Sequence, residues 1–365
     1  MNFNNFFLKS FRVVLLPFAI IYGCIVIIRN RLYARKILSS ATFNFPIICV
    51  GNLAVGGTGK SPMVEYLIRL LQNDFKIATL SRGYKRKTKG YTLANAQTTA
   101  NEIGDEPMQF HSKFPNVPVA VGEQRIEAIP QLLHDHPELQ AIILDDAFQH
   151  RMVNAGFNIV LTDFSNLYIH DFFLPTGDLR DEWLSAKRAK VIIVTKCPAD
   201  LSEEKRLKII RSLRPKPYQS VFFTTIAYET PYHIIHKTTR SLHKDDEVLL
   251  VCGIANPKPL KDYILQNVYT YYEKNYEDHH IFSIEDLNDI QKAFNDIDAG
   301  QKCIITTEKD GVRLQKYADL LADIPVYVLP ITHRFLFNQS AQFNQLVVDY
   351  IHHFYEKKYE QQKED

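Results

Sequence analysis

The chain has few cysteines and no surplus of charge of either sign. Its 365 residues include five cysteines, Cys24, Cys49, Cys197, Cys252 and Cys303, scattered and odd in number. None stand in a CxxC pair, which argues against a structural zinc or a disulfide framework and fits a reducing compartment. Lysine plus arginine total 43 against 41 acidic residues, a net charge of +2. Charge therefore singles out no polyanion, and no nucleic-acid partner is expected. Internal repeats are missing, and the one biased tract is the charged tail over 356–365, which reads as a frayed terminus. Apolar residues make up 46% of the chain. That proportion, at this length, is enough for two domains with proper cores.

Long apolar runs are also scarce, with one exception at the N-terminus. Residues 13–28 are uninterrupted apolar sequence containing Pro17 and Gly23. Lys9 and Arg12 precede the run, and Arg29, Arg31, Arg35 and Lys36 follow it. It is short of the roughly 20 residues that cross a bilayer. No small-residue cleavage site follows, as a signal peptide would require. We read it as a helix lying on or partly inserted in a membrane, ahead of a buried first helix. The flanking cations would meet anionic headgroups while the apolar face enters the acyl boundary.

Beyond it, short apolar runs alternate with helical patterns. Strands are expected at 76–80, 117–121, 141–144, 158–161, 190–194 and 221–228, with helices at 123–134 and 201–213. Continuous Ile/Val/Leu strands separated by helices predict an α/β fold with a mostly parallel sheet covered on both faces. Residues 229–246 are polar and aperiodic and read as a linker or exposed hairpin. A second α/β pattern follows: strands at 248–252, 268–272, 303–306 and 326–329, helices from 257 and over 284–294, and a last helix over 340–353. The expected division is a membrane-associated helix at 1–36, a P-loop domain at 37–228, a linker at 229–246 and a smaller α/β domain at 247–365.

The most informative stretch is Val50-Gly51-Asn52-Leu53-Ala54-Val55-Gly56-Gly57-Thr58-Gly59-Lys60-Ser61-Pro62. Strand, glycine-rich loop and Gly-Lys-Ser opening a helix is the layout of a phosphate-binding loop. Gly56, Gly57, Thr58 and Gly59 would turn backbone N–H groups onto phosphate oxygens, and the helix N-terminus adds partial positive charge. Lys60 would reach the β/γ-phosphates of a nucleotide, and the Ser61 hydroxyl would ligate Mg²⁺. The strict pattern asks for Gly at position 54, where this chain has Ala54. About 85 residues after Lys60, Asp145-Asp146 ends an apolar strand, as a metal-linked carboxylate should. Gln149 lies just beyond, at the carboxyl edge where open α/β sheets bind ligands. Arg82, Arg125 and Arg180 each follow an apparent strand, and together they suggest an anion-lined cleft. Asn101 to Pro107 is an acidic loop whose spacing fits a solvated turn, or else makes Asp105 a base or a metal-linked carboxylate. Glu277-Asp278-His279-His280 sets imidazoles beside carboxylates, suited to accepting a proton near neutral pH. Thr195-Lys196-Cys197-Pro198 lacks the Asn and the Asp of the guanine-selecting motif. Thr307-Glu308-Lys309-Asp310-Gly311 is either an interdomain contact or a turn.

In order and spacing these segments resemble the tetraacyldisaccharide 4'-kinases, the lipid A 4'-kinases of Gram-negative bacteria. The resemblance runs along nearly the whole chain. It takes in the apolar N-terminus, the glycine-rich loop, Ser81-Arg82-Gly83-Tyr84, Gly104-Asp105-Glu106-Pro107, Gly122-Glu123-Gln124-Arg125, Leu144 to His150, Leu179-Arg180, Gly253 to Pro257, Asp278-His279-His280 and Thr307 to Asp310. It implies ATP-dependent phosphorylation of the 4'-hydroxyl of an acylated glucosamine disaccharide 1-phosphate, the lipid A precursor. The enzyme would act as a monomer, peripheral or monotopic on the cytoplasmic face of the inner membrane. It further implies Asp105 as the catalytic carboxylate working with His279, and Lys60 and Ser61 on phosphates and Mg²⁺. Asp145 and Asp146 would complete the metal site, with Arg125, Gln149 and Arg180 as further contacts to phosphate or sugar. Two positions depart from the family pattern: Asp181 stands where Glu is expected, and Ala147 where Gly is usual. The residues alone leave open a membrane-associated P-loop ATPase or GTPase switch that regulates a protein partner.

Overall fold

The computed structural model describes residues 12–278 and 280–364. Buried aliphatic runs become strands of two sheets. The larger sheet comprises β1 (Ile47–Asn52), β2 (Ile77–Ser81), β3 (Thr92–Leu93), β4 (Val119–Val121), β5 (Ala141–Asp145), β6 (Phe157–Asp163), β7 (Val191–Thr195), β8 (Ser220–Tyr228) and β14 (Ile331–Phe335). Their order is β14-β8-β7-β6-β1-β5-β2-β4-β3. Its two edge strands, β14 and β3, are antiparallel to their neighbours, and the strands between run parallel. The smaller sheet has the order β11 (Thr270–Asn275), β10 (Glu247–Cys252), β12 (Lys302–Thr307), β13 (Val326–Leu329) and β9 (Tyr232–His233).

Helices cover both faces of the larger sheet, as all-buried parallel strands require. One face takes α2 (Lys60–Leu71) and α4 (Asp105–Lys113), the other α5 (Arg125–Asp135) and α6 (Glu203–Leu213). Between α2 and α4 lies the single turn α3 (Ala100–Ile103). The second sheet carries α7 (Lys258–Asn267), α8 (Ile284–Asn295), α9 (Glu308–Leu314) and the short α10 (Ala318–Leu321). Each face has its own apolar core.

The chain does not divide between the sheets at the expected boundaries. Residues 331–364 were expected in the second domain, yet β14 pairs with β8 in the first sheet. The last helix, α11 (Ser340–Glu364), buries Phe343, Val347 and Ile351 against the first core. That i, i+4, i+8 spacing is one helical face, and it packs beside α2, where Tyr66 meets Phe343 and Asn344. Residues 229–246 are likewise more than a linker, because Tyr232 and His233 form the edge strand β9. The acidic stretch expected as a loop at 101–107 is instead helical, holding the end of α3 and the start of α4. Thr99 and Glu102 form a capping box for α3, and Asp105 and Glu106 sit in the first turn of α4.

The apolar N-terminal run forms α1 (Leu16–Ala34), docked along Ala19, Gly23, Val26 and Asn30. A Cβ on Gly23 would lie 2.6 Å from the Phe173 ring, so glycine allows this close approach. On the far side Phe18, Ile21, Ile25 and Ile28 are 56–63% exposed. The helix is therefore not a buried core element.

Buried charge ties the two sheets together. Glu65 of α2 is fully buried and accepts from Gln109 Nε2 at 2.6 Å. Lys113, at the end of α4, pairs with both Glu65 and Glu308, the first residue of α9. Burial and the Glu65 charge push the Glu308 carboxyl upward, and Lys113 opposes them. Removing the shared cation would strip Glu308 of that ion pair and leave Glu65 with the longer 3.5 Å pair to Arg69. Lys113→Met is expected to destabilise the protein by about 3–5 kcal/mol in urea unfolding. Adding Glu65→Gln to that variant should recover part of the loss; no recovery would mean the cation is not what stabilises the pair.

Candidate active site

Strand β1 delivers the chain to the carboxyl edge of the sheet, and α2 carries it away. Between them Gly56 and Gly59 adopt positive φ of 101° and 84°, where a Cβ would be strained. Ala54 is not among the positive-φ residues, and it forms a bridge with Leu179. No glycine is needed there, which accounts for the departure from the strict loop pattern. The loop is braced from beneath. Asn52 Nδ2 donates to Thr58 Oγ1 at 2.9 Å, Thr195 Oγ1 to the Thr58 carbonyl at 2.9 Å, and Val55 N–H to the Asp178 carbonyl at 2.8 Å.

Opposite the loop, β5 presents its two aspartates differently. Asp146, with φ of 48°, points back toward the loop, and its Oδ1 lies 3.8 Å from Lys60 Nζ. It also accepts from Arg180 through both guanidinium nitrogens, one at 3.1 Å. Burial alone would raise this carboxyl, but Lys60 and Arg180 outweigh it and hold Asp146 below the usual range. Arg180 also reaches Asn52 Oδ1 at 2.5 Å, and Gln149 Nε2 donates to the Asn52 carbonyl at 2.6 Å. Asp145 is 4% exposed and is pushed up to about 7, by burial first and then by Glu106 and Asp146. Ser81 Oγ donates to its Oδ2 at 3.3 Å, while its Oδ1 is buried with no protein partner.

That orphaned oxygen, the Asp146 carboxylate and the Ser61 hydroxyl are hard donors of the kind Mg²⁺ prefers. Among the described residues no group of three or more His, Cys, Asp or Glu side chains forms a cage of its own. The donor set thus fits an ion that shares its coordination with phosphates and water, as Mg²⁺ does.

Lys60, Asp145, Asp146, Gln149 and Arg180 border a cleft of about 800 Å³, which also takes in Arg82, Glu106, Gln124 and His150. All three strand-end arginines, Arg82, Arg125 and Arg180, border it. Arg125 lies beneath, 2% exposed, donating to the carbonyls of Gly122 at 2.9 Å and Asp145 at 3.4 Å. Burial lowers it to about 10, against the opposing pull of Asp145. His150 is lowered to about 4 by burial, then by Arg125 and Arg82, so it is neutral at ordinary pH.

Asp105 occupies the first position of α4, after Gly104 with φ of 93°. The second sheet meets the first here. Arg313 of α9 donates to Asp105 Oδ2 through Nε at 3.1 Å and through a terminal nitrogen at 2.6 Å. Arg313 also lies 3.4 Å from the buried Asp310, which accepts from Gly253 N–H at 2.9 Å and from Thr307 Oγ1 at 2.7 Å. Lys309 stands 3.5 Å from Glu106. The segment 307–311 is thus an interdomain contact. His279 lies outside the described residues. Its neighbour His280 turns away to Asp286 at 2.8 Å.

Sequence reasoning missed Glu106, His150 and Arg313 as site residues. The signal for Glu106 was present: acidic residues followed by Pro107 mark a helix first turn, not a turn in a loop. The discounted Thr195-Lys196 pair also sits at the site. Lys196 bonds Asp163 at 2.8 Å in a second pocket of about 220 Å³ on the other side of Gly56, Gly57 and Thr58.

Comparison with known proteins agrees with this geometry. The family model described as tetraacyldisaccharide-1-P 4'-kinase matches residues 11–352. A tetraacyldisaccharide 4'-kinase of Flavobacterium johnsoniae is 48% identical over 348 residues, covering 93% of this chain and 97% of that protein. The enzyme of the same name from Bacteroides thetaiotaomicron is 40% identical, with 92% of each chain covered. The crystal structure of the "apo" form of LpxK from Aquifex aeolicus in complex with ATP superposes with a TM-score of 0.73 at 25% identity, covering 93% of this chain and 99% of that one. The loop, the paired aspartates and the two-sheet architecture therefore occur in a chain that belongs to the tetraacyldisaccharide 4'-kinase family.

Proposed function

We propose that this protein transfers the γ-phosphate of ATP to the 4'-hydroxyl of a tetraacylated glucosamine disaccharide 1-phosphate. The observation that carries the reading is Lys60, at the mouth of a glycine loop, facing Asp146 across an open polar cleft in a chain of this family. Phosphoryl transfer asks for positioning and charge neutralisation more than for covalent chemistry. The amides of 56–61 and Lys60 hold the phosphates, with Arg180 and Gln149 at their flank. Arg125 acts from below by fixing the backbone on which Asp145 stands. Ser61, Asp145 and Asp146 would hold Mg²⁺, which neutralises phosphate charge when bound. Asp105 accepts the hydroxyl proton as the sugar oxygen forms its bond to phosphorus, and ADP departs with the electrons of the broken P–O bond. Arg313 orients that carboxylate from the second domain, and His279 is its expected partner. Both walls of the cleft come from one chain, which supports action as a monomer.

The acceptor is an amphiphile, so the enzyme works at a bilayer surface. The exposed Phe18, Ile21, Ile25 and Ile28 face of α1, with arginines at its end, suits insertion beneath the headgroups. ATP supply puts it on the cytoplasmic side.

In mixed micelles, label from γ-labelled ATP is expected on the disaccharide lipid. Lys60→Ala should lower that transfer by about 10²–10³-fold. Asp105→Asn should lower it by about 10²–10⁴-fold with ATP affinity retained. ATP hydrolysis without labelled lipid would overturn the kinase reading in favour of a P-loop switch. For the membrane reading, Ile21→Asp with Ile25→Asp should abolish co-sedimentation with anionic vesicles while leaving the melting temperature unchanged; retained co-sedimentation would move the membrane contact elsewhere.

A further inference from the structure

Strand β14 enters the first sheet directly from the second domain, and three successive residues touch three different parts of the enzyme. Ile331 N–H donates to Glu308 Oε2 at 3.2 Å, at the start of α9. Thr332 Oγ1 accepts from Arg69 of α2 at 3.3 Å. The buried His333 places Nε2 2.8 Å from the carbonyl oxygen of Gly59 and Nδ1 2.9 Å from Thr224 Oγ1.

The chemistry of the partners fixes the imidazole. A carbonyl can only accept, so Nε2 carries the hydrogen and donates to Gly59. Nδ1 then accepts from the Thr224 hydroxyl. Burial keeps the ring neutral, lowering it to about 4. The contact is also steric, since a Cβ on Gly59 would stand 3.0 Å from both Cε1 and Nε2 of the ring. His333 is thus the floor under the last glycine of the loop.

What that floor controls follows from the peptide plane. In a trans peptide the carbonyl oxygen and the following N–H point in opposite directions. The Gly59 oxygen is held inward by His333 and by Met63 N–H at 3.2 Å. The N–H of Lys60 must then point outward, toward the loop's concave side. It is one of the first-turn donors of α2 that no helical carbonyl satisfies. Pro62 contributes no donor to that turn, so the N–H groups of Lys60 and Ser61 carry more of the anion's coordination.

We propose that His333 is a positioning residue for the phosphate site: by fixing the Gly59–Lys60 peptide plane it holds the Lys60 N–H in its anion-binding direction. The strand that carries this residue, β14, pairs with β8 in the first sheet and contacts the second domain two residues earlier, through Ile331. The inference rests on 56–61 being the phosphate site.

The test is equilibrium binding of Mg-ATP, Mg-ADP and AMP to the full-length protein in detergent micelles, without acceptor, together with KM for both substrates. His333→Phe keeps ring volume and removes the donor. It is expected to weaken ATP and ADP binding about ten-fold, the worth of one buried hydrogen bond. KM for the lipid and AMP binding should not change. His333→Gln, which retains an N–H donor, should restore most of the affinity. Unchanged ATP affinity in a folded His333→Phe, or equal loss of lipid and nucleotide affinity, would overturn the proposal. If the Phe variant does not give a cooperative melt, Thr224→Val decides: about two- to three-fold weaker ATP binding supports the proposal, and none refutes it. Lys60→Ala separates this outcome from failure of the phosphate-site reading. Loss of ATP binding there, with none in the His333 and Thr224 variants, would sink only the role of His333.

Discussion

Everything in this site depends on charges of opposite sign being held a few ångströms apart before any ligand arrives. Lys60 and Arg180 converge on Asp146, and Asp145 stands beside it with an unpartnered oxygen. Left to themselves two adjacent aspartates at a sheet edge would take up protons, because burial and mutual repulsion both disfavour ionisation. The structure separates their fates. Asp146 receives both cations and stays ionised; Asp145 receives neither directly and is pushed up. The cleft is therefore short of one positive charge at Asp145 and short of negative charge around the loop amides. A nucleotide bound with a divalent cation would answer both deficits together, which neither would alone.

The second domain supplies the other half of the argument. Its helix α9 is short, yet three of its first six residues reach across to the first domain. Glu308 joins the buried Lys113–Glu65 network on α2 and α4, Lys309 meets Glu106, and Arg313 grips Asp105. Helix α4 thus has its first turn and its last residue fixed by the same partner helix. The role proposed for Asp105, activating a hydroxyl, would require its carboxylate to be placed to within about half an ångström. Mounting it on a helix clamped at both ends by ion pairs achieves this more rigidly than the acidic loop expected from sequence would have done.

The parts of the fold that sequence could reveal are those whose chemistry is local. The glycine loop, the Lys-Ser pair and the aspartates ending β5 are read from residues within one strand-turn-helix unit. The parallel core strands declare themselves by continuous aliphatic runs. What stayed hidden depends on partners far along the chain. Strand β14 is five residues long and reads Ile331-Thr332-His333-Arg334-Phe335, too polar to mark a strand. Its membership of the first sheet is decided by β8, over a hundred residues upstream. The acidic stretch before Pro107 reads as a loop in sequence; in the structure Gly104 separates two short helices there. Arg125 looked like one more anion contact, since its sequence position is equivalent to that of Arg180. Only its burial distinguishes a residue that supports Asp145 from one that faces the cleft.

The departure at Asp181 shows how the N-terminal helix is built into the catalytic frame. Its carboxylate is completely buried and does not enter the cleft. It accepts from Asn30 Nδ2 at 2.7 Å, from Glu182 N–H at 2.8 Å, from Ser185 Oγ at 3.0 Å and from Arg188 at 3.3 Å. A shorter acid suits this position, because its partners lie close around it. The preceding residue, Arg180, sends its guanidinium to Asp146, and its carbonyl accepts from Tyr22 of α1 at 3.1 Å. One dipeptide thus carries both a cation of the cleft and the fixing point of the apolar helix. A force on α1 from a bilayer would pass through Asn30 and Tyr22 directly to the residue that orients Asp146. In the proposed reaction, the surface that would meet an amphiphilic acceptor and the centre that would hold phosphate are joined by covalent neighbours, not by a flexible tether. That arrangement requires α1 to pack through small residues, Ala19 and Gly23, so that its large side chains remain free to face outward.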